Sequence, residues 1–445
     1  MYDVVVVGGG TAGTAAAYIA AINGLNTLLI EKKGYLGGEM TGGLVVPMMN
    51  IGNSIINQDF FNVLVYEMSK NKAQIEFQGN KGWFNPHIMK AVLDEIMCKS
   101  GVKVLYNAIP TGVEVSEDDK IASLYISYSV PINNELSEYN NMIYSDKILA
   151  PNVKILSEHI ETRYIIDATG NCEFGKICNC NFLGNKSDEN QLVSLRFCMR
   201  GVNIDVFAEF LKSNDKNREV SPIDVIDGKT HLSTAFTWDK GAEWGLYPIF
   251  EKAVDAGDLS VADCNYFQLF TVAGADDEIA FNCPRYPEFI DIYDDKVLSA
   301  TYEWLNESII RIVNFCKKYF KGFENAYISQ VADGLGIRCS RRIKGKYIYT
   351  ENDLKSSKTF DNPVLEANYP IDVHKRGKDA GVERVFKSYQ LPIESLMSDD
   401  IENLFVAGRC LSADFKAQSA LRVQRSCLSM GEGVAKYIVK QIKGQ

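Results

Sequence analysis

Three glycines, one carboxylate, a run of arginines and one histidine are the residues here whose types and spacing could do chemistry. Gly8, Gly10 and Gly13 stand as G-x-G-x-x-G, with Thr11 and Ala12 inside the spacing, and Glu31 follows. In such a turn the first glycine allows a tight strand-to-helix bend. The second lets the backbone approach a pyrophosphate, and the third lets the helix pack close to the strand. A helix start offers free N–H groups and the positive end of a dipole to that same anion. A carboxylate such as Glu31 can accept both ribose hydroxyls of an adenosine and repels a 2′-phosphate, which argues against NADP. Farther along, Arg338, Arg341 and Arg342 lie with Lys344 and Lys346 between apolar residues and glycines. That run reads either as a solvated face or as a partly buried turn contacting an anion. His374 reads either as a loop residue or as an acid–base group facing a substrate.

These residues need elements to hold them. Residues 3–7 are a β-branched run, the composition of a buried parallel strand. An Ala-rich helix is expected over 14–22, with Asn23 and Gly24 as its stop. A second strand over 25–30 carries Glu31 at its end. Strand, glycines, helix, stop, strand and acid thus arrive in the order of a dinucleotide site. Residues 34–43 hold five glycines, read as backbone wrapping closely over the ligand. Helices are expected over 58–70 and 88–99, with Pro86 in a first turn and His87 at the surface, then a strand over 102–106. Runs at 111–115, 121–129 and 161–166 suggest an antiparallel meander, with 130–157 as a long excursion. The third run ends at Asp167-Ala168-Thr169-Gly170, small residues at the sheet edge where open α/β folds bind ligands.

Residues 175–385 lack this rhythm. They carry strand-like runs at 192–199, 230–237 and 266–273 and a helix over 294–319, and read as an α+β cap. Residues 389–393 read as a short extended run, and 403–409 form a strand ending in Ala407-Gly408-Arg409. A polar loop over 410–420 and a helix over 422–443 follow, aiming a second helix start at the ligand.

Composition narrows the class. The chain has 445 residues, 46% hydrophobic and 23% charged, and a net charge of −10, which disfavours nucleic acid and anionic membranes. No apolar run approaches the roughly 20 residues that span a bilayer. The first strand starts at residue 2, leaving no room for a signal peptide, so a cytoplasmic protein is expected. Of 11 cysteines the densest group is Cys172, Cys178 and Cys180, read as free thiols rather than a metal or redox group. No metal is expected.

The motifs L-G-G-E-M-T-G-G at 36–43, D-A-T-G at 167–170, R-C-S-R-R-I-K-G at 338–345 and N-L-F-V-A-G-R-C-L-S-A-D at 403–414 follow the glycine turn in order. Together they resemble the FAD-dependent oxidoreductases related to the succinate dehydrogenase and fumarate reductase flavoproteins. The resemblance implies FAD, with its ADP half on the turn at Gly8, Gly10, Thr11, Ala12 and Gly13 and on Glu31 and Lys32. Gly38, Glu39, Met40, Thr41 and Gly42 would lie along the pyrophosphate and flavin. Ala168, Thr169 and Gly170 would line the cofactor, and Gly408 and Arg409 would face its phosphate or ribityl part. Arg422 and Val423 would begin a helix over the pyrimidine ring. Two residues depart from the family pattern: Cys339, where many relatives carry Glu, and Glu394, where relatives often carry a small or basic residue.

The expectation is therefore an α/β fold: a Rossmann-like FAD-binding domain (parallel sheet with β-meander) from 1–174 and 386–445, and an α+β substrate or cap domain over 175–385. FAD would take a hydride at N5 from a small polar, anionic metabolite. Arg338, Arg341 or Arg342 would hold that anion, and His374 would take a proton. The electron acceptor is open, as is a homo-oligomer. There is no second strand–G-x-G-x-x-G–helix unit, so a built-in NAD(P)H domain is not expected. A redox-neutral isomerase or elimination enzyme, an NAD(P)H-dependent reductase or monooxygenase, and a protein that keeps FAD structurally remain as alternatives. Thiazole-forming relatives bind NAD on a similar fold.

Overall fold

The computed structural model describes residues 1–52, 56–131, 153–184, 189–236, 244–374 and 381–444. Residues 132–152, most of the excursion expected at 130–157, lie outside the described residues.

The strand Tyr2–Val7 is central to the first sheet because its valines are buried on both faces. Thr27–Glu31 runs parallel on one side of it, and Lys103–Tyr106 lies parallel beyond that. The strand Val153–Asp167 lies parallel on the other side, and Leu404–Val406 pairs parallel with it in turn. Val153–Asp167 serves two pairings along its length. Its first part, from Val153 to Glu161, pairs antiparallel with Ile121–Pro131. Its last part, from Thr162 to Asp167, enters the parallel sheet beside Tyr2–Val7. Ala108–Val115 completes the meander.

The helix Thr11–Ile22 crosses between the first two strands, and the final helix, Gln424–Lys443, packs on it. Their approach is close: a Cβ on Gly431 would stand 2.1 Å from the Ala12 carbonyl oxygen. The first helix starts at Thr11, three residues before the expected 14, because the glycine turn leads straight into it. Only Gly24 takes the left-handed conformation at its end (φ 83°), and Asn23 does not.

A second sheet of six antiparallel strands runs Ile223–Ile226, Lys229–Phe236, Phe267–Thr271, Ile279–Phe281, Phe197–Arg200, Tyr327–Val331. Phe207, Phe250, Phe267, Phe315, Phe320 and Phe323 meet in one aromatic cluster between it, the helix Ile204–Asn214 and the long helix Asp295–Tyr319. Each fully buried ring contributes about 1.5–3 kcal/mol, so this cluster anchors the helices to the sheet.

Four expectations are corrected. The run 192–199 is a strand only over Phe197–Arg200, and before it Ser194 bridges singly to Gly336 on one side and Arg285 on the other. The loop 410–420 contains a helix, Phe415–Leu421, whose N-cap Asp414 accepts from the Ala417 N–H at 2.9 Å. The last helix then begins at Gln424, with Val423 as its N-cap. His87 is half-buried, and its Nε2 lies 3.1 Å from the buried carboxylate of Glu278.

Candidate functional site

The end of Tyr2–Val7 is built for close backbone approach. A Cβ on Gly8 (φ 100°) would stand 2.7 Å from the Ala168 carbonyl oxygen, and one on Gly13 would stand 1.8 Å from that of Gly8. Gly10 has nothing within 4 Å of where its Cβ would be, so the turn is open on that side. No side chain caps the helix that starts at Thr11, which leaves its first N–H groups for an anion. Glu31 is buried, with Oε2 accepting from Gly9 N–H at 2.6 Å and Oε1 from Lys33 N–H at 2.8 Å. Burial raises its pKa against these two hydrogen bonds. Lys32 turns outward to Glu173 at 3.0 Å.

The glycine-rich loop folds back on this turn: Gly37 N–H donates to Gly9 O at 2.8 Å, and a Cβ on Gly38 would stand 3.0 Å from the Gly10 Cα. Met40 and Thr41 are fully buried, and the Thr41 hydroxyl donates to Leu36 O at 2.6 Å, so they brace the loop from within. Glu39 Oε2 is buried without a hydrogen-bond partner among the described residues.

At the next strand end, Asp167 is fully buried and accepts from Thr169 N–H and Oγ1 and from Gly175 N–H at 2.7–2.9 Å. Arg409 then ties two loops together, donating to Gly170 O at 3.1 Å and Asn171 Oδ1 at 2.9 Å. Gly408 takes φ 99° beside Ala12. The start of Gln424–Lys443 has no side-chain cap, and Gln424 Nε2 donates to Val45 O at 2.8 Å. Two uncapped helix starts, an open glycine turn and an orphaned carboxylate oxygen suit a long ligand with a pyrophosphate and hydroxyls, as FAD has.

The other candidates are sorted by the stretch 191–196. Arg338 is buried and donates to Leu192 O at 2.6 Å and to Ser194 Oγ at 3.3 Å. Leu192 N–H in turn donates to His374 O at 2.9 Å, and His374 N–H donates to Gln191 Oε1 at 3.1 Å. The His374 ring lies 2.9 Å through Nε2 from Asp372 Oδ2, and Arg422 donates to the same oxygen at 3.2 Å. So Arg338, His374 and Arg422 converge. Arg341 and Arg342 do not join them. Arg341 lies over the Tyr293 ring at 3.7 Å, and Arg342 is buried against Glu189. Only Arg342–Ile343 of this run forms a strand, paired with Phe182–Leu183.

Four residues absent from the expected set complete this cluster. Asp372 holds His374 and Arg422. Tyr266 is buried with Arg285 stacked on its face at 3.8 Å and sits edge-on to His374 at 6.5 Å. Arg196 is buried and donates to Leu44 O at 3.4 Å, at the end of the glycine-rich loop. Asp372, two residues before His374, is the one that adjacency could have flagged. Burial, then the neighbouring guanidiniums, pushes Arg338 well below its usual range, and burial brings Arg196 and Arg285 down to about 10. Burial and Arg338 push His374 well down against the opposing pull of Asp372, so the ring is neutral at physiological pH. Despite its burial, Asp372 is held below the usual carboxylate range by His374, Arg422 and Arg338.

Cys172, Cys178 and Cys180 are free thiols, and burial raises Cys180 to about 11. Among the described residues, His87, Cys198 and Glu278 gather metal-ligand atoms within 4.8 Å. Glu278 there is already engaged by His87 and Arg200, each at 3.1 Å, and by Ser329 at 2.9 Å.

The chain is 29% identical over 147 residues to digeranylgeranylglycerophospholipid reductase of Methanococcus vannielii, covering 31% of this chain and 35% of that protein. It is 26% identical over 171 residues to thiamine thiazole synthase of Pyrococcus horikoshii, covering 38% of this chain and 57% of that protein. Both relatives are thus matched over less than two thirds of their length. The crystal structure of a geranylgeranyl bacteriochlorophyll reductase-like protein from Thermoplasma acidophilum aligns with the whole chain and 79% of its own, at 15% identity and a TM-score of 0.47. Among the described residues no helix is long and apolar enough to cross a membrane. The family described as FAD dependent oxidoreductase matches residues 3–136 and 138–444. The chain belongs to that family and is an FAD-dependent oxidoreductase.

Proposed function

We propose that the protein exchanges a hydride with a small, polar, anionic metabolite in the pocket lined by Arg338 and His374, with residues 175–385 as the substrate cap. The observation that carries this reading is that both side chains are buried, with the Arg338 guanidinium donating to Leu192 O and the backbone carbonyl of His374 accepting from Leu192 N–H. When bound, FAD supplies the hydride acceptor or donor. Arg338 orients the substrate's anionic group; each charged hydrogen bond to it contributes about 1.5–3 kcal/mol. His374 donates from Nε2 to Asp372, a tautomer assigned from that hydrogen bond, which leaves the lone pair on Nδ1 to take a proton. Its depressed pKa keeps the ring unprotonated at physiological pH.

The test is anaerobic screening of metabolites for bleaching of the flavin band. Arg338→Met and His374→Asn proteins should keep FAD and lose the bleaching. If both bleach at the wild-type rate, the reading fails. A second reading, hydride running from the cofactor to an unsaturated acid, is favoured by relatives named as reductases: the M. vannielii protein and cinnamate reductase of Clostridium sporogenes, the latter 30% identical over 120 residues. Reoxidation of chemically reduced protein by unsaturated acids separates the two directions.

A further inference from the structure

We propose that His87, Cys198 and Glu278 form a divalent-metal site, suited to zinc, that joins the helix Pro86–Ser100 to the second sheet. The ligand atoms of these three side chains lie within 4.8 Å of one another. They come from three separate stretches, so no sequence spacing announces the set. Cys198 faces Ala280 across the antiparallel pair of strands, and Glu278 stands two residues before Ala280, on the same side. On the other edge of the cysteine's strand the register slips between Cys198 and Met199. That slip leaves Ser329 unopposed, and its hydroxyl donates to Glu278 Oε1 at 2.9 Å. His87 comes from the first turn of Pro86–Ser100. Asn85 caps that helix, accepting from His87 N–H at 3.0 Å, while its Nδ2 donates to Ala273 O at 3.2 Å. The helix start, and His87 with it, is thus pinned to the turn that follows Phe267–Thr271.

The donor set selects the ion. An imidazole, a thiolate and a carboxylate are zinc ligands, whereas magnesium and calcium take oxygens. His87 Nε2 and Glu278 Oε1 stand 3.1 Å apart. Two such atoms on a tetrahedral zinc, with bonds of about 2.0–2.1 Å, stand about 3.3 Å apart. The sulfur belongs about 3.6 Å from each, so Cys198 Sγ closes by about 1 Å at most. The ion takes the place of two hydrogens. The one between Nε2 and Oε1 moves to Nδ1, and the thiol proton leaves to solvent. Arg200 does not compete for Oε1: it donates to Oε2 at 3.1 Å, and its side chain is 45% exposed. It orients the carboxylate, as outer partners of metal ligands do. Cys198 is fully buried, so the way in for the ion runs past His87, whose side chain is 29% exposed. Three protein groups leave a fourth position for water. Leu93 of the same helix lies against Gly37, 2.8 Å from where its Cβ would be, so the site stands behind the glycine-rich loop.

Zinc titration of the chelator-treated, FAD-loaded full chain, in competition with a chromophoric chelator, tests this. Cobalt serves as the spectroscopic probe, read as a difference spectrum against the flavin. The expected result is one zinc per chain with a dissociation constant of about 1 μM or tighter, one proton released per ion, and a thiolate-to-cobalt charge-transfer band. Cys198→Ser should abolish that band and weaken zinc by about a hundredfold, and His87→Gln should weaken it by about tenfold or more. Cys178→Ser, in the densest cysteine group, should change neither. FAD occupancy and circular dichroism report whether each variant is folded. His87 is half-buried, so His87→Gln carries the test if Cys198→Ser does not fold. No zinc bound at about 0.1 mM, a hundred times the expected constant, overturns the site. So does binding that His87→Gln and Cys198→Ser leave unchanged, or that Cys178→Ser removes.

Discussion

Asp372→Asn separates two roles that this carboxylate plays at once. It accepts from His374 Nε2 at 2.9 Å and from Arg422 at 3.2 Å, and it is 9% exposed. The amide keeps the shape and removes the charge. Its oxygen can still accept from Arg422, but its NH₂ can donate to His374 Nε2, which moves the ring proton to Nδ1 and blocks the proposed base. A base held in the wrong tautomer loses about 10²–10⁴-fold in kcat. Stability falls as well, since breaking a buried pair costs about 3–5 kcal/mol, and the retained acceptor puts the loss near the lower end. Anion affinity moves the other way. Asp372 contacts Arg422, and two like unit charges about 8 Å apart, at an effective dielectric of about 20, oppose each other by about 2 kcal/mol. Removing that charge should therefore tighten anion binding by up to about thirtyfold. The assay is single-turnover reduction of bound FAD alongside equilibrium titration with the same anion. Slower chemistry with tighter binding is the expected signature. Unchanged chemistry, or weaker binding together with slower chemistry, would refute the reasoning, because Asp372 would then be neither the positioning group for His374 nor a competitor of the substrate.

Gly13→Ala places a methyl 1.8 Å from the Gly8 carbonyl oxygen, so the helix start must move off the turn, and the purified protein should carry less than about a tenth of its normal FAD; full occupancy would contradict the site. Arg342→Met removes the partner of Glu189 and should lower stability by about 2 kcal/mol in urea melts while leaving turnover per bound FAD within twofold, because the described ion pair of Arg342 is with Glu189 rather than with the groups around His374. His374 is held neutral in the folded protein, whereas in the unfolded chain it titrates near 6.5. Its contribution is therefore fully present above that pH. Below about pH 6.5 the unfolded chain takes up a proton that the folded one refuses, so stability should fall by about 1.4 kcal/mol per pH unit. His374→Asn should remove that component of the slope; urea midpoints that drift equally with pH in both proteins would count against it.

What could be read in advance follows the range of the constraint. The glycine turn was legible because Gly13 answers a clash with the Gly8 carbonyl oxygen five residues earlier, and Glu31 because it closes the same unit. The last strand was legible as an apolar run ending in Ala407-Gly408-Arg409. The double use of Val153–Asp167 was not, since its partners come from residues 2–7, 121–131 and 404–406. The helix Phe415–Leu421 carried a local signal, the cap Asp414, hidden in a stretch that looks merely polar. The basic run around 338–346 could not be sorted because it has almost no regular structure, so no period tells Arg338 from Arg342. Arg196 and Arg285 each stand alone among apolar neighbours, and only the bridges of Ser194 bring the second sheet's residues to one place.

The sheet order has a consequence for how the protein is made. Tyr2–Val7 is translated some 150 residues before its neighbour Val153–Asp167, and Leu404–Val406 comes later still. The nascent chain therefore holds the glycine turn for 160 residues without the Ala168 loop and for about 400 without the Arg409 loop. Closure of the turn over its ligand therefore waits for the Arg409 loop, so FAD availability should bear mainly on chains that already carry that loop.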